Sequence, residues 1–447
     1  MIIPGPTPSP SIEALLYNAQ MEGILPITSR CNMGCIFCSN AYNPKSCEVF
    51  CIPPRPLEDI KDTILWLGGS RGPVVIGESV TRINEGEPLT HPDFVEILRL
   101  VRKSYPERAI RITTNASLFT DDLIKEIAGL GHVEFMISLN TVGYREKVMG
   151  DKEPEKTLNN VMALGAKVPF EGSIVALPFV TGWDDIENTA KFLRDSGAWS
   201  IRILAPGFSK NHPLGSQMDP GTWGEIRSFS QEIGGKLKIP VLFEPPGLKS
   251  LIAEVVDILP GSPARRAGLR PGDVLETVGG RQVFSRTEGF EALRDTENPR
   301  LTFDRDGVLY DTVMYKEKYA SPGLVMYDDL DSRAWFEWER KAGAKHRRVL
   351  ILTSILAKPI IEDALDRRGL AARVEAVESI FFGGNIQAGG LLTVRDFLAA
   401  YTKVTSSGFM PDTVTIPRRG FDPWGRDLEG ITYRAFEEKI GKRVILA

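Results

Sequence analysis

The chain has 447 residues, of which 42% are apolar and 25% charged, with a formal net charge of −4. That length allows about two to four domains with sizeable cores, and the composition is that of an ordinary globular protein. Acidic and basic residues are interspersed, no Lys/Arg run marks a phosphate-binding stripe, and no apolar stretch reaches the ~18 residues of a membrane span. Neither nucleic acid nor a membrane span is therefore expected.

The chain opens on Met1-Ile2-Ile3-Pro4-Gly5-Pro6-Thr7-Pro8, an irregular lead-in without a basic segment leading into an apolar one. It does not read as a secretory signal, and the expected location is the cytoplasm. Gly23 to Thr28 reads as a first strand. All five cysteines then fall between positions 31 and 51. An odd number packed so closely is a poor disulfide framework and a better metal site. Cys31, Cys35 and Cys38 have C-x3-C-x2-C spacing. Three thiolates on one loop can take three irons of a cubane cluster and leave the fourth open to a small molecule. A zinc loop is the alternative, with Cys47 or Cys51 as fourth ligand.

Beyond the cysteines, helix and strand patterns alternate. Helices are expected at Leu57 to Trp66, Pro92 to Lys103, Asp121 to Leu130, Glu155 to Leu164 and Asp184 to Ser196. Strands are expected at Arg82 to Asn84, Ala109 to Thr113, Val133 to Ser138, Gly172 to Leu177 and Ser200 to Leu204. With the first strand this makes six βα units, an α/β fold with a parallel sheet whose site lies at the C-terminal strand ends.

The cysteine motif, with Phe37 before its last member, resembles the radical S-adenosylmethionine (SAM) signature. The resemblance implies a partial (β/α)6 parallel barrel over residues 1–245 and a [4Fe-4S] cluster on Cys31, Cys35 and Cys38. It also implies SAM on the open iron, cleaved after one-electron reduction to a 5′-deoxyadenosyl radical, with a flavodoxin or ferredoxin as electron donor. Asn84-Glu85-Gly86-Glu87-Pro88 is similar to the family's Gly-Gly-Glu-Pro, with Glu85 in place of the first glycine, so Glu87 would accept from the SAM amino group. Arg82, Thr114 in Thr113-Thr114-Asn115, and Ser138 and Asn140 in Ser138-Leu139-Asn140 match positions of the molybdenum-cofactor cyclase branch. They are candidates to hold SAM, against the alternative that they cap the following helices. Cys47 and Cys51 read as structural thiols, with Cys47 a weaker candidate for a hydrogen-atom donor or sulfur nucleophile.

Pro260-Gly261-Ser262-Pro263-Ala264 and Ala267-Gly268-Leu269-Arg270-Pro271-Gly272-Asp273 look like a bacterial PDZ domain, small and β-rich, over residues 246–317. Such domains bind extended peptides at a sheet edge, and the carboxylate loop would fall near Gly247-Leu248-Lys249-Ser250. Residues 318–447 read as an α/β domain similar to one of unknown function that accompanies PDZ and radical SAM domains. It has strands at Arg348 to Thr353, Ala372 to Val377 and Asp412 to Ile416. Helices are expected at Pro359 to Arg368 and from Val394, capped by Thr393. Its glycine-rich loop at Gly383, Gly384, Gly389 and Gly390 suits either a tight turn or an anion site. The expected function is radical SAM chemistry on a protein or peptide. A small-molecule or lipid-precursor substrate, or a non-catalytic iron–sulfur scaffold, stands as the alternative.

Overall fold

The computed structural model describes residues 10–69, 72–219, 221–343 and 347–447. The lead-in expected at Met1 to Pro8 lies outside them. The chain forms two compact units. The first comprises residues 1–244 with two segments from the C-terminal third, Phe382–Ile386 and Phe421–Thr432. The second holds Pro245–Phe381, Gln387–Gly420 and Tyr433–Ala447.

The first unit is built on six parallel strands in chain order: β1 (Val74–Ile76), β2 (Ile110–Thr114), β3 (Val133–Ser138), β4 (Phe170–Val175), β5 (Ala198–Leu204) and β6 (Val241–Glu244). Helices Phe94–Ser104, Asp121–Leu130, Pro154–Gly165, Trp183–Asp195 and Thr222–Leu237 separate successive strands. Strand β2 alternates strictly, burying Ile110, Ile112 and Thr114, as expected where one face meets the core. The core joins Ile76, Ile112, Phe135, Ile137, Phe170 and Ile201 to the inner helix faces.

The six-strand fold class holds, but two of its members differ from those expected. Gly23 to Thr28 is not a regular strand. Ile24 bridges Val75, Leu25 N–H donates to Val75 O at 2.9 Å, and Pro26 then has no donor to continue. Ile83–Asn84 pairs with Phe50–Cys51 in a separate two-stranded ribbon. Their places go to the short run Val74–Ile76 and to Val241–Glu244.

In the second unit a four-stranded antiparallel sheet has the order Arg281–Gln282, Val274–Val278, Arg300–Arg305, Val308–Val313. Helix Arg286–Asp295 accompanies it, and Ser262 caps the turn Pro263–Arg266. The remainder is a parallel sheet of Ala372–Val377, Val349–Ser354, Thr413–Ile416 and Arg443–Leu446. The helix Val394–Ser406 starts on the expected Thr393, which forms a capping box with Asp396. No helix among the described residues is long and apolar enough to cross a membrane.

Candidate active site

Cys31, Cys35 and Cys38 lie on an irregular loop beyond Thr28, half-buried and without disulfides. Helix Arg145–Met149, after β3, carries this loop. Gly34 N–H donates to Met149 O at 2.8 Å and Ile36 N–H to Val148 O at 2.9 Å. Met33, Ile36 and Phe37 pack against Val148, Met149, Leu177 and Phe208, which explains the aromatic in the motif.

Burial pushes the Cys35 thiol up to about 12, and the neighbouring Cys31 and Cys38 add to the effect. Burial also raises Cys31, with Glu87 and Cys38 contributing. Three reduced thiols therefore share one loop, and at Cys31 and Cys35 bare thiolates are disfavoured, which an iron–sulfur group would compensate. The donor set fits a cluster with three protein ligands. Among the described residues no group of three or more His, Cys, Asp or Glu could hold a single metal ion.

The loop at residues 84–87 is zipped onto residues 27–30. Gly86 N–H donates to Thr28 O at 2.9 Å and Glu87 N–H to Arg30 O at 2.7 Å. Ser29 Oγ donates to Asn84 O. A side chain at Gly86 would overlap Arg30 O and the Ser29 carbonyl carbon, so glycine is required there. Glu85, in the position where the family motif has glycine, folds its side chain inward. Its Oε1 accepts from Ile27 N–H at 2.9 Å, and its Oε2 is buried with no partner. Burial raises this carboxyl well above its ordinary range.

Glu87 is 3% exposed. Its Oε1 accepts from Thr114 Oγ1 at 2.6 Å and Leu89 N–H at 3.2 Å, and its Oε2 from Asn115 N–H at 2.8 Å. Burial carries it up to about 7 despite these donors. The carboxyl is thus poised to ionise when a cation approaches.

The other expected residues divide. The Thr114 hydroxyl lies between Glu87 and Ala116 N–H, so it orients Glu87. Ser138 is half-buried at the end of β3. Asn140, at φ +64°, ties β3 to β4: Oδ1 accepts from Val175 N–H at 2.9 Å and Nδ2 donates to Ser138 O at 3.1 Å. Arg82 is 4% exposed, with φ +67°. Its guanidinium donates to Asp422 at 2.9 Å and to Glu48 at 2.5 Å, and it lies over the Phe50 ring. In this geometry Arg82 and Asn140 are committed to protein partners.

Asn115, whose side chain was not expected to matter, links the site. Its Nδ2 donates to Asn32 Oδ1 at 3.0 Å, and Asn32 Nδ2 donates to Ser117 Oγ at 2.8 Å. Asn115 closes the Thr113-Thr114-Asn115 motif, but only Thr114 is singled out there; its link to Asn32, 83 positions away, has no pattern to read. Cys47 is raised to about 11, mainly by burial; Arg82 opposes this, while Glu429, Asp427 and Glu48 reinforce it. Cys51 Sγ lies 3.8 Å from Asn84 Nδ2.

The C-terminal segments complete this unit. Asn385 Oδ1 accepts from Phe208 N–H at 2.6 Å, and its Nδ2 donates to Pro206 O at 2.9 Å. Gly384, at φ +63°, lies too close to Phe208 O for any side chain. Gly383 and Gly384 therefore serve a tight docking turn. Residues 422–430 form two successive turns of the pattern D-x-x-G. Asp422 Oδ1 accepts from Trp424 and Arg426 N–H, and Asp427 Oδ1 from Glu429 and Ile431 N–H.

Residues 25–193 match the radical SAM superfamily, and residues 254–305 match a PDZ domain. The GTP 3',8-cyclase of Lactiplantibacillus plantarum is 30% identical over 165 residues, 36% of this chain and 47% of that protein. The GTP 3',8-cyclase of Alkaliphilus oremlandii is 28% identical over 223 residues, 48% and 63% respectively. The PqqA peptide cyclase of Ruegeria pomeroyi is 24% identical over 188 residues, 41% and 46%. Among solved structures, Streptococcus suis SuiB bound to precursor peptide SuiA overlays with a TM-score of 0.40 at 15% identity, covering 49% of this chain and 48% of that one. The chain thus spans between about half and 63% of the length of these curated relatives.

Proposed function

We propose that this chain, which carries a radical SAM domain at residues 25–193 and a PDZ domain at 254–305, is a radical SAM enzyme that abstracts hydrogen from a protein or peptide. The observation that carries the reading is Glu87, a buried carboxyl held by three donors beside three thiols on one loop. A pure electron carrier has no use for such a cation acceptor.

In this reading Cys31, Cys35 and Cys38 hold the iron. When bound, the [4Fe-4S] cluster supplies the electron that cleaves SAM to a 5′-deoxyadenosyl radical. Glu87, as the ionised carboxylate, would accept from the SAM ammonium. Thr114 and Asn115 fix the carboxylate's orientation, and Ser138 is the strand-end hydroxyl left to meet SAM. Arg82 and Asn140 act through the loops they hold. Cys47, kept as a thiol by burial and by acids nearby, suits hydrogen-atom donation better than nucleophilic attack. A low-potential flavodoxin or ferredoxin would supply the electron.

The peptide substrate is supported by the PDZ domain and by likeness to a peptide cyclase. The expected carboxylate loop at residues 247–250 leads into groups that already have partners. Ser250 O accepts from Arg286, and Leu251 N–H donates to Asp363. The strand Asp257–Ile258 is already paired with Leu324–Val325, which pairs with no other strand among the described residues. A peptide would add beside Leu324–Val325, with Ser321-Pro322-Gly323 as the loop before it. The GTP 3',8-cyclase relatives favour a second reading, the same chemistry on a small molecule.

Anaerobic reconstitution with iron, sulfide, dithionite and SAM tests the chemistry. 5′-Deoxyadenosine is expected, and its absence from a fully loaded protein would refute the enzyme reading. Binding of a C-terminal peptide library, followed by peptide-stimulated 5′-deoxyadenosine release, tests the substrate class. Stimulation by nucleotides alone would favour the second reading.

A further inference from the structure

We propose that the buried Arg145–Asp151 ion pair sets the reduction potential of the iron–sulfur group held by Cys31, Cys35 and Cys38, with Arg145 as a positioning residue whose charge favours the reduced state. The inference rests on the radical SAM reading above. Its evidence is a buried ion pair at the start of the helix that carries the cysteine loop.

The Arg145 side chain is 0% exposed and that of Asp151 3%. Nε donates to Asp151 Oδ2 at 2.7 Å, Nη1 to Leu139 O at 2.7 Å, and Nη2 reaches Asn115 O at 3.4 Å. Asp151 is itself fixed by Thr157 Oγ1 at 2.8 Å and Glu153 N–H at 3.1 Å. Burying both charges costs desolvation energy that well-packed apolar residues would avoid. Arg145 opens the short helix whose last carbonyls, of Val148 and Met149, hold Ile36 and Gly34 on either side of Cys35. The guanidinium and the Cys35 thiol feel each other's charge. Hydrogen bonds on three sides keep the cation from swinging away.

Reduction adds one electron to the cluster from an external donor, dithionite in vitro, and no bond or proton changes place. The added negative charge is stabilised by a nearby buried cation and destabilised by a nearby buried anion. The pair therefore makes a prediction of opposite signs. Arg145→Met should shift the midpoint potential to more negative values, and Asp151→Asn to more positive ones. Arg145→Lys, which keeps the charge, should stay close to the original protein.

The experiment is an EPR-monitored potentiometric titration of the full chain and these variants after anaerobic loading, with iron and sulfide counted in each. Opposite shifts support the proposal. Shifts of one sign, or unchanged potentials in fully loaded variants, overturn it. If Arg145→Met holds no iron, Asp151→Asn decides: a positive shift supports the proposal and none overturns it. Loss of iron from both overturns it in favour of a purely structural pair. If the original chain takes up no four-iron cluster, the radical SAM reading itself fails, which is a separate result.

Discussion

Glu85 and Glu87 stand two residues apart on one loop, and both are almost wholly buried. They differ in what meets them. Glu87 receives three donors, whereas Glu85 has one oxygen bonded to Ile27 N–H and one without a partner. Burial favours the protonated form of Glu85, opposed by the Ile27 N–H bond, the polar backbone at Thr28 and the charge of Arg55. The folded protein thus keeps a proton that the unfolded chain releases near ~4.3. A raised folded pKa contributes stability that is complete below ~4.3 and is lost as pH rises through the folded value. Glu85→Gln removes this titration. It should leave stability near that of the original protein at pH 5 and raise it at pH 8. Urea denaturation at both values checks it, and parallel curves would refute the account. For Glu87→Gln the expected loss is in binding: the SAM dissociation constant of the reconstituted protein should rise about 10–100-fold by calorimetry. Glu87 was legible because a short motif names its position. The inward turn of Glu85 was not, because whether a glutamate at a glycine position points to water or to a strand end depends on residues 58 positions away.

At the scale of elements, helices and the strictly alternating strands were legible because their periodicity is local. The run Val74–Ile76 is three residues long, too short to show a period, and Gly23 to Thr28 is apolar enough to imitate a strand. What holds the site is the irregular pairing of residues 27–30 with 84–87, which has no sequence period at all. This pairing makes a sharp prediction. A methyl group at Gly86 would overlap the backbone of Ser29 and Arg30, which cannot swing aside as a flexible side chain could. Gly86→Ala should destabilise the chain by about 3 kcal/mol and lower iron retention, because Glu87 and the cysteine loop would part. Gly34→Ala is the control. It lies in the neighbouring cysteine loop, yet its methyl group would meet nothing within 4 Å. It should stay within about 0.5 kcal/mol of the original protein. Equal effects in melting and iron content would rule out the zipped loop as the cause.

At the scale of the whole molecule, contact and chain order part company. A reading along the chain draws a boundary at residue 245, yet the first compact unit includes residues 382–386 and 421–432. Nothing in the sequence joins Arg82 to a residue 340 positions later, because ion pairs across that distance have no pattern to read. The two segments matter energetically. Asp422 is the buried partner of Arg82, Leu428 O accepts from Glu48 N–H at 2.7 Å, and Asn385 satisfies both Phe208 N–H and Pro206 O. Removing one partner of a buried pair costs about 3–5 kcal/mol, because the other charge is left in a medium that solvates it poorly. Glu48 still faces Arg82 from a half-exposed position, so Asp422→Ala should cost about 3 kcal/mol, the low end of that range. The double variant Arg82→Met, Asp422→Asn should recover most of the loss, since the buried ion pair is gone and the Oδ1 that accepts from Trp424 and Arg426 N–H is kept. A fragment of residues 1–245 loses the ion pair and the Asn385 and Leu428 bonds together. Set against a total stability of about 5–15 kcal/mol for a typical domain, that loss is large. The fragment should therefore unfold at markedly lower urea concentration than the first unit of the full chain, and retain less iron. A fragment with an unchanged midpoint would show that the first unit stands without its C-terminal segments, and that Arg82 gains little from Asp422.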